Sequence, residues 1–437
     1  MSQGRLAVFP RTTEIDSSNH IAIGGCDLVA LAEEYGTPLY LFDEETLRYK
    51  CREFRREFSQ CYPDTQVVYA CKAYVSPSLA RIFREEGLGL DVVSGGELAV
   101  AQSVGYPPEM VYFHGNNKGP DELEAALEWG LGRVVVDNFH ELGLLNGLAR
   151  KKGRTQEILI RISPGVDPHT HSHTTTGILD SKFGVPIEGG QAEGLVKEAL
   201  AASNLDLIGL HFHLGSPIYE VEPYRQAVEI AMSFADQMRQ RHGFALREFS
   251  PGGGFAIQYT EDEPPPAVAE YASVIASAVL ENCKGPEMPP PRLVIEPGRA
   301  IVGQAGVAVY RVGSTKDVPG IRKYISVDGG MGDNIRPAIY GSRYEAMVAN
   351  KASSPPQERV TIAGKFCESG DILVKDIDLP RVEAGDLIAI PASGAYCLSM
   401  ASNYNAAPRP PIVLVKEGKP RLIRRRETYQ DLMQWDL

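Results

Sequence analysis

Eight short runs of β-branched and apolar residues recur through the first two thirds of the sequence, and helix-compatible segments separate them. The runs cover residues 67–70, 90–94, 110–115, 133–138, 158–162, 207–214, 248–251 and 292–296. Their spacing leaves room for a strand, a helix and short loops in each unit. Eight such units predict an α/β fold with a (β/α)8 barrel of the TIM type over residues 38–305. A doubly wound open sheet gives a similar alternation, so the pattern alone leaves both architectures open.

The remaining sequence contains many strand signals and few helix signals. Strand-like runs occur at 307–312, 324–327, 360–363, 387–391 and 411–415, and glycine-containing turns separate several of them. We therefore expect a second domain, a β-sandwich or β-barrel, made of residues 1–37 and 306–437.

The composition excludes several classes of protein. The chain has 437 residues and a formal net charge of -12, whereas binding to nucleic acid or to an anionic membrane needs a basic face. No run of residues approaches a membrane-spanning length, and the first residues lack the apolar core of a signal peptide. Seven scattered cysteines predict reduced thiols. We expect a cytoplasmic protein without nucleic-acid or membrane partners.

Candidate functional residues lie at or just beyond the ends of four of the predicted strands. They are Lys72 after the first strand, His213 and Ser216 at the end of the sixth, Gly252, Gly253 and Gly254 after the seventh, and Glu296, Pro297, Gly298 and Arg299 at the end of the eighth. The carboxyl ends of barrel strands form one rim, and phosphate sites near the last two strands are common there. The sequence therefore predicts one site at this rim.

These groups suit pyridoxal phosphate. A lysine can form a Schiff base with its aldehyde, glycine N–H groups can hold its phosphate, and a carboxylate can keep its ring nitrogen protonated. A free lysine has a pKa of about 10.4, so a Schiff-base lysine needs desolvation or a cationic neighbour. We expect burial of Lys72 near Arg299 to provide both.

Two groups of histidines raise the question of a metal site. His211 and His213 alternate on one strand face, but no carboxylate or cysteine is spaced to complete a zinc site. His169, His171 and His173 lie in a polar loop that we interpret as a mobile segment of the active face. We predict no metal site, and the sequence leaves open whether His211 has a chemical role or only packs.

The β domain contains three polar segments of interest. Arg336 and Tyr340 form a candidate pair for binding a carboxylate, and Cys367-Glu368 combines a thiol with a carboxylate. Tyr396 follows a flexible Ser393-Gly394 turn.

Together the motifs resemble those of the fold-type III pyridoxal phosphate-dependent decarboxylases, and the resemblance covers nearly the whole chain. The motifs are Tyr-Ala-Cys-Lys-Ala at 69–73, Asp-Val-Val-Ser-Gly-Gly-Glu at 91–97, Gly-Val-Asp-Pro-His-Thr-His at 165–171, Asp-Ser-Lys-Phe-Gly at 180–184, His-Phe-His-Leu-Gly-Ser at 211–216, Pro-Gly-Gly-Gly at 251–254, Glu-Pro-Gly-Arg at 296–299, Cys-Glu-Ser-Gly-Asp at 367–371 and Met-Ala-Ser-Asn-Tyr-Asn at 400–405. The barrel motifs alone also fit ornithine and arginine decarboxylases. The sequence departs from the family pattern at 332–334 and 341–344.

The resemblance implies a role for each matched residue. Lys72 would carry the cofactor, His213 would stack on its ring, and Ser216, Gly252–Gly254 and Glu296–Arg299 would bind it, including Pro297 and Gly298. Arg299, Arg336, Tyr340 and Glu368 would hold the distal end of the substrate, Tyr396 would touch both cofactor and substrate, and Cys367 would donate a proton. In the family the Cys-Glu segment reaches the other subunit's site, which implies a homodimer with shared active sites.

Within the family the motifs are most similar to those of enzymes that convert meso-2,6-diaminopimelate to L-lysine and CO2 in the last step of lysine biosynthesis. Arg336 with Glu368 provides a cation and a carboxylate for a second zwitterionic end. Decarboxylation of a basic amino acid such as ornithine is an alternative, because ornithine lacks a distal carboxylate. A racemase-like reaction and a non-catalytic carrier of pyridoxal phosphate are further alternatives, but the carrier has no need of Cys367 and Glu368.

Overall fold

The computed structural model describes residues 6–167, 176 and 180–436. His169, His171 and His173 lie outside the described residues. Contacts divide the chain into a unit of residues 51–256 and 266–298 and a unit of residues 1–50, 257–265 and 299–437.

Eight parallel strands form a closed barrel in the first unit. They are Thr65–Ala70, Gly89–Val92, Val111–Phe113, Arg133–Val136, Gln156–Ser163, Leu205–His211, Glu248–Gly252 and Arg292–Ile295. Each strand pairs with the next, and the eighth pairs back with the first. The prediction of a (β/α)8 barrel is confirmed, and the open sheet is excluded.

Helices follow the barrel strands, and local capping signals fix their ends. The helix Glu44–Cys61 precedes the first barrel strand, and the longer helices that follow the strands are Pro77–Glu85, Gly95–Ser103, Pro120–Trp129, Phe139–Lys152, Gln191–Ala201, Glu222–His242 and Val268–Glu281. The Ser94 side chain, for example, accepts a hydrogen bond from the Glu97 N–H group at the start of its helix. Gly153, in the left-handed region at φ 62°, ends the helix Phe139–Lys152.

The inside of the barrel is packed with side chains. Val68, Tyr112, Val135, Leu159, Ile208 and Val294 form one buried cluster contributed by six of the strands. At the amino end, the Glu248 carboxylate accepts hydrogen bonds from Tyr112 at 3.0 Å and from Arg133. The functional site of such a barrel is therefore expected at the carboxyl ends of the strands.

The second unit is built around a mixed sheet. In spatial order its strands are Ile372–Leu379, Glu358–Ala363, Arg322–Val327, Gly306–Val318, Leu39–Asp43, Ile412–Lys416 and Lys419–Arg424. Leu387–Ile390 pairs with Gly306–Val318 and with Met347–Val348. The strand Leu39–Asp43 hydrogen-bonds within this sheet, so the barrel unit begins at 51 rather than 38.

Smaller elements complete this unit. The strands Glu14–Ile15, Ile21–Ile23 and Cys26–Asp27 form a separate three-stranded sheet, followed by the helix Leu28–Tyr35. Short helices span Arg299–Val302, Arg336–Tyr340 and Tyr429–Met433. In the described parts of the chain, no helix combines the length and the apolar character needed to cross a bilayer.

Candidate active-site residues

Lys72 stands at the carboxyl rim of the barrel. It occupies the single turn Cys71–Ala73 directly after the first strand. Its two neighbours are buried, but Lys72 is exposed. The expectation of a buried lysine is wrong, because the residue follows the strand and lies beyond the packed interior. Its positive charge acts on Asp91 and His213 at the same rim.

Five buried polar side chains meet where the strands end: Glu296, His211, His114, Asp91 and Ser250, hereafter the Glu296 cluster. The Ser250 hydroxyl donates to Glu296 Oε1 at 2.8 Å, and His211 Nε2 lies 3.1 Å from Glu296 Oε2. His114 Nε2 lies 3.6 Å from Glu296 Oε1 and 3.7 Å from Asp91 Oδ1. Each residue comes from a different strand end, so the closed barrel brings them together.

The Glu296 cluster separates two carboxyl groups into different charge states. Burial raises the pKa of Asp91 well above its ordinary value, and the nearby charge of Glu296 raises it further. Burial also acts to raise the pKa of Glu296, but His211, His114 and the Ser250 hydrogen bond outweigh it and hold that pKa low. Burial lowers the pKa values of His114 and His211. The cluster therefore favours the ionised form of Glu296 and the protonated form of Asp91.

Unsatisfied polar atoms in this cluster fit a polar ligand. Among the described residues, Asp91 Oδ1, His114 Nε2 and His211 Nδ1 are buried without a hydrogen-bond partner. Buried polar atoms are rarely left unpaired without a functional reason. An ionised, buried carboxylate beside them suits the protonated ring nitrogen of pyridoxal phosphate. The ligand atoms of His114, His211 and Glu296 also lie within 4.8 Å of one another, so the absence of a metal stays a prediction.

The glycine triplet makes a tight turn at the end of the seventh strand. Gly252 and Gly254 have φ values of 74° and 103°, which side chains other than glycine rarely adopt. A Cβ atom on Gly253 would lie 2.0 Å from the Glu296 carbonyl oxygen. Glycine is thus required here by backbone packing. The N–H groups of Gly252 and Gly253 donate to Ser250 Oγ at 3.2 Å and to His213 Nδ1 at 3.3 Å.

His213 is tied to this turn. Its Nδ1 accepts a hydrogen bond from the Gly253 N–H group at 3.3 Å, and the Thr176 hydroxyl donates to its carbonyl at 2.7 Å. Burial and then the charge of Lys72 lower the pKa of His213, which favours a neutral ring. A fixed, neutral imidazole suits stacking on a flat cofactor.

The other predicted barrel residues lie at the same end. Ser216 is half-buried in the loop after the sixth strand. The Pro297 carbonyl accepts a hydrogen bond from Ala70 N–H at 3.2 Å, which ties the last strand to the first. Gly298 packs against Ala70, whose oxygen would be 3.0 Å from an added Cβ.

The second unit contains two buried arginines among aromatic rings: Arg299, Arg336, Tyr259, Tyr344 and Tyr396, hereafter the arginine cluster. Arg299 donates to the Tyr259 hydroxyl at 2.6 Å and lies 4.8 Å from the centre of the Tyr396 ring. Arg336 donates to the Tyr344 hydroxyl and lies 4.8 Å from the centre of the Tyr259 ring. Among the described residues, Arg336 forms no ion pair although it is buried. A buried cation in this state suits a carboxylate ligand.

Cys367 and Glu368 are exposed on their own unit. The backbone N–H group of Cys367 donates to Asn405 Oδ1 at 2.9 Å, and Tyr404 donates to the Cys367 carbonyl at 3.3 Å. The loop is therefore held in place while both side chains face outward. Tyr340 is half-buried at the end of the helix that begins with Arg336.

Several residues of both clusters were not predicted. His114 directly follows the third strand, so the rule that identified Lys72 would also have found it. Ser250 lies inside the seventh strand, and its polar side chain in an apolar run was the available signal. Tyr259 and Tyr344 lie in irregular segments, and nothing in the local sequence connects them with Arg299 or Arg336.

Comparisons with known proteins agree with this geometry. Residues 45–303 match the model of the pyridoxal-dependent decarboxylase family, pyridoxal binding domain. The diaminopimelate decarboxylase of Bacillus subtilis (strain 168) is 46% identical over 98% of this chain and 97% of its own length. That of Synechocystis sp. is 44% identical over 98% of this chain and 92% of its own length.

Solved structures of diaminopimelate decarboxylases are also similar to this chain. The crystal structure of diaminopimelate decarboxylase from M. jannaschii in co-complex with L-lysine has a TM-score of 0.92 and 34% identity, and the match covers 99% of this chain and 98% of that one. Pyridoxal phosphate is the cofactor, since the family model describes its binding domain and the barrel end fits it. The chain belongs to the diaminopimelate decarboxylase family of pyridoxal-dependent decarboxylases.

Proposed function

We propose that this chain decarboxylates meso-2,6-diaminopimelate to L-lysine and CO2, as the last step of lysine biosynthesis. Curated relatives that match over nearly the full length carry this activity in their names. Solved structures of similar enzymes from M. jannaschii and Helicobacter pylori are complexes with L-lysine, the product of this reaction.

The barrel residues would hold the cofactor. Lys72 would bind its aldehyde, Ser216, Gly252–Gly254 and Pro297–Gly298 would help to bind it, and His213 would stack on its ring. The bound cofactor supplies an electron sink for the electrons that CO2 leaves behind. Glu296 would keep the ring nitrogen protonated, which strengthens the electron sink.

The arginine cluster would select the substrate. Arg336, a buried cation without an ion pair among the described residues, is the observation that carries this choice. It would bind the distal carboxylate of diaminopimelate, with Arg299, Tyr340 and Tyr396 beside it and Glu368 on the distal ammonium. Ornithine has no distal carboxylate and would leave Arg336 without a partner.

Cys367 would donate the proton that replaces CO2 on the α-carbon. Both Cys367 and Glu368 are exposed on their own unit, which supports a role in the active site of a second subunit. The functional molecule would then be a homodimer with shared active sites. All seven cysteines are free, in keeping with a reducing, cytoplasmic location.

Release of CO2 by the purified holoenzyme tests the proposal. Diaminopimelate, lysine, ornithine and arginine are supplied separately, and CO2 is expected from diaminopimelate in large excess over the other three. Equal or faster release from ornithine would show that the arginine cluster does not select a distal carboxylate. No release from any of them would leave the non-catalytic carrier as the better account.

A further inference from the structure

Glu296 has a hydrogen-bond donor on each carboxylate oxygen. The Ser250 hydroxyl donates to Oε1 at 2.8 Å, and His211 Nε2 faces Oε2 at 3.1 Å. The exposed fractions of His211 and Ser250 are 1%, and that of Glu296 is 6%. Two donors on opposite oxygens fix the plane of a carboxylate, because rotation would break one of the bonds.

The bond to Glu296 determines the tautomer of His211. Because Nε2 faces a carboxylate oxygen, Nε2 carries a hydrogen, and in the neutral ring Nδ1 then carries none. Nδ1 is buried and has no hydrogen-bond partner among the described residues. The ring therefore has one nitrogen bonded to Glu296 and one buried nitrogen without a partner. A histidine that serves only to fill space would not be expected to leave a buried nitrogen unpaired.

The surroundings of His211 favour its neutral ring. His114 stands edge-on to it, with the ring centres 4.8 Å apart. The titratable or charged groups that act on this part of the rim are Lys72, Asp91, Glu97, His114, Lys118, Arg161, His213 and Glu296. Burial lowers the pKa of His211 most, and the cations Arg161 and Lys72 lower it further, whereas the charge of Glu296 and its hydrogen bond raise it. A neutral donor orients the carboxylate without cancelling the negative charge that a pyridine nitrogen needs.

We propose that His211 and Ser250 are positioning residues that fix Glu296 for its contact with the pyridine nitrogen of pyridoxal phosphate. This inference rests on the proposed function, since it takes Glu296 as the partner of that nitrogen. His211 acts through Glu296 and touches neither the α-carbon nor the departing carboxylate. Its loss therefore weakens the electron sink and leaves substrate binding largely intact.

The test compares holoenzymes of the wild type, His211→Leu, His211→Gln and Ser250→Ala. Leucine removes the donor at similar size, whereas glutamine keeps an N–H donor at the end of the side chain. Absorbance spectra of the bound cofactor are recorded from low to high pH, together with kcat and KM for diaminopimelate. In His211→Leu the pH-dependent spectral change moves to lower pH, because a poorly oriented carboxylate stabilises the ring-nitrogen proton less.

The kinetic result expected for His211→Leu is a loss of about tenfold in kcat, the scale of one hydrogen bond to a charged group. KM stays within about twofold, because substrate contacts are kept. His211→Gln recovers most of the loss and returns the spectral change toward the wild-type pH. Ser250→Ala shifts the spectrum in the same direction as His211→Leu. If His211→Leu does not fold, the spectrum of Ser250→Ala tests whether the donors to Glu296 position its carboxylate.

Tyr112→Phe is the matched control. It removes one buried donor from the Glu248 carboxylate at the amino end of the same barrel. We expect lower stability with an unchanged spectral profile and kcat. A wild-type spectral profile in both His211→Leu and Ser250→Ala, or an equal loss of kcat in His211→Gln and His211→Leu, would overturn the inference. Failure of the wild type to release CO2 from diaminopimelate would refute the proposed function, while the spectral comparison would still decide the role of His211.

Discussion

At the scale of single residues, the proposal that Arg336 selects the substrate depends on its buried charge. Its guanidinium is buried, donates to the Tyr344 hydroxyl and packs on the Tyr259 ring. None of these partners carries a negative charge, and among the described residues Arg336 has no carboxylate partner. Burying a cation is costly unless a ligand supplies the opposite charge.

Replacing Arg336 by alanine should therefore damage turnover of diaminopimelate selectively. We expect kcat/KM to fall by about 100-fold, the scale of two hydrogen bonds to a charged group, with most of the change in KM. Steady-state kinetics of the purified variant measures it. Arg426→Ala is a suitable control, because this half-buried arginine in the same unit donates to the backbone carbonyls of Tyr35 and Pro38. A fall of less than about threefold in Arg336→Ala would contradict the assignment.

At the scale of elements, the carboxyl ends of the strands were the predictable part of this structure. Lys72, His213 and Glu296 were placed correctly because apolar strands end abruptly at polar motifs. The strand Leu39–Asp43 was assigned to the barrel range, although it pairs in the other sheet. Its sequence is that of a buried strand, and only its tertiary partners decide which sheet it joins.

The partners of the two clusters could not be predicted for a similar reason. Tyr259 follows the seventh barrel strand in the sequence, yet it contacts Arg299 and Arg336 in the second unit. Hydrogen bonds between residues so distant in the sequence leave no local pattern. His211 was noticed, but its role depends on a distance to Glu296 that only the closed barrel defines.

A buried acid links two strands of the second unit. Asp333 accepts hydrogen bonds from Tyr310 and from Tyr40 at 3.0 Å, which lie on the strands Gly306–Val318 and Leu39–Asp43. Burial raises the pKa of Asp333 from 3.8 to about 6, although the Tyr310 hydrogen bond lowers it. The folded state thus holds this proton more tightly than the unfolded state.

The pH dependence of stability follows from this shift. The contribution of protonated Asp333 to the free energy of unfolding is fully present below the unfolded-state pKa of 3.8. This contribution is lost as pH rises through about 6. In Asp333→Asn this titration is absent, so the stability of the variant relative to wild type should rise by up to about 3 kcal/mol from acid to neutral pH. Thermal or denaturant unfolding across this range measures the effect, with Asp64→Asn as an exposed control. Parallel profiles for wild type and Asp333→Asn would contradict it.

At the scale of the whole molecule, the proposed homodimer makes each active site depend on two chains. The barrel carries Lys72, and Cys367 lies exposed on the other unit. Mixtures of Lys72→Ala and Cys367→Ala subunits should therefore regain activity after exchange. Random exchange gives about half heterodimers with one complete site each, and hence about a quarter of wild-type activity. Mixtures that stay inactive after exchange has been verified would show that one chain supplies both residues.

The most direct test of the account is the identity of the lysine that binds pyridoxal phosphate. The holoenzyme is reduced with borohydride, which fixes the cofactor to that lysine, and the modified peptide is identified by mass spectrometry. We expect the label on Lys72 at the rim of the barrel. Labelling of another lysine, such as the buried Lys118 that pairs with Glu141, or no label at all, would contradict the assignment of the active site.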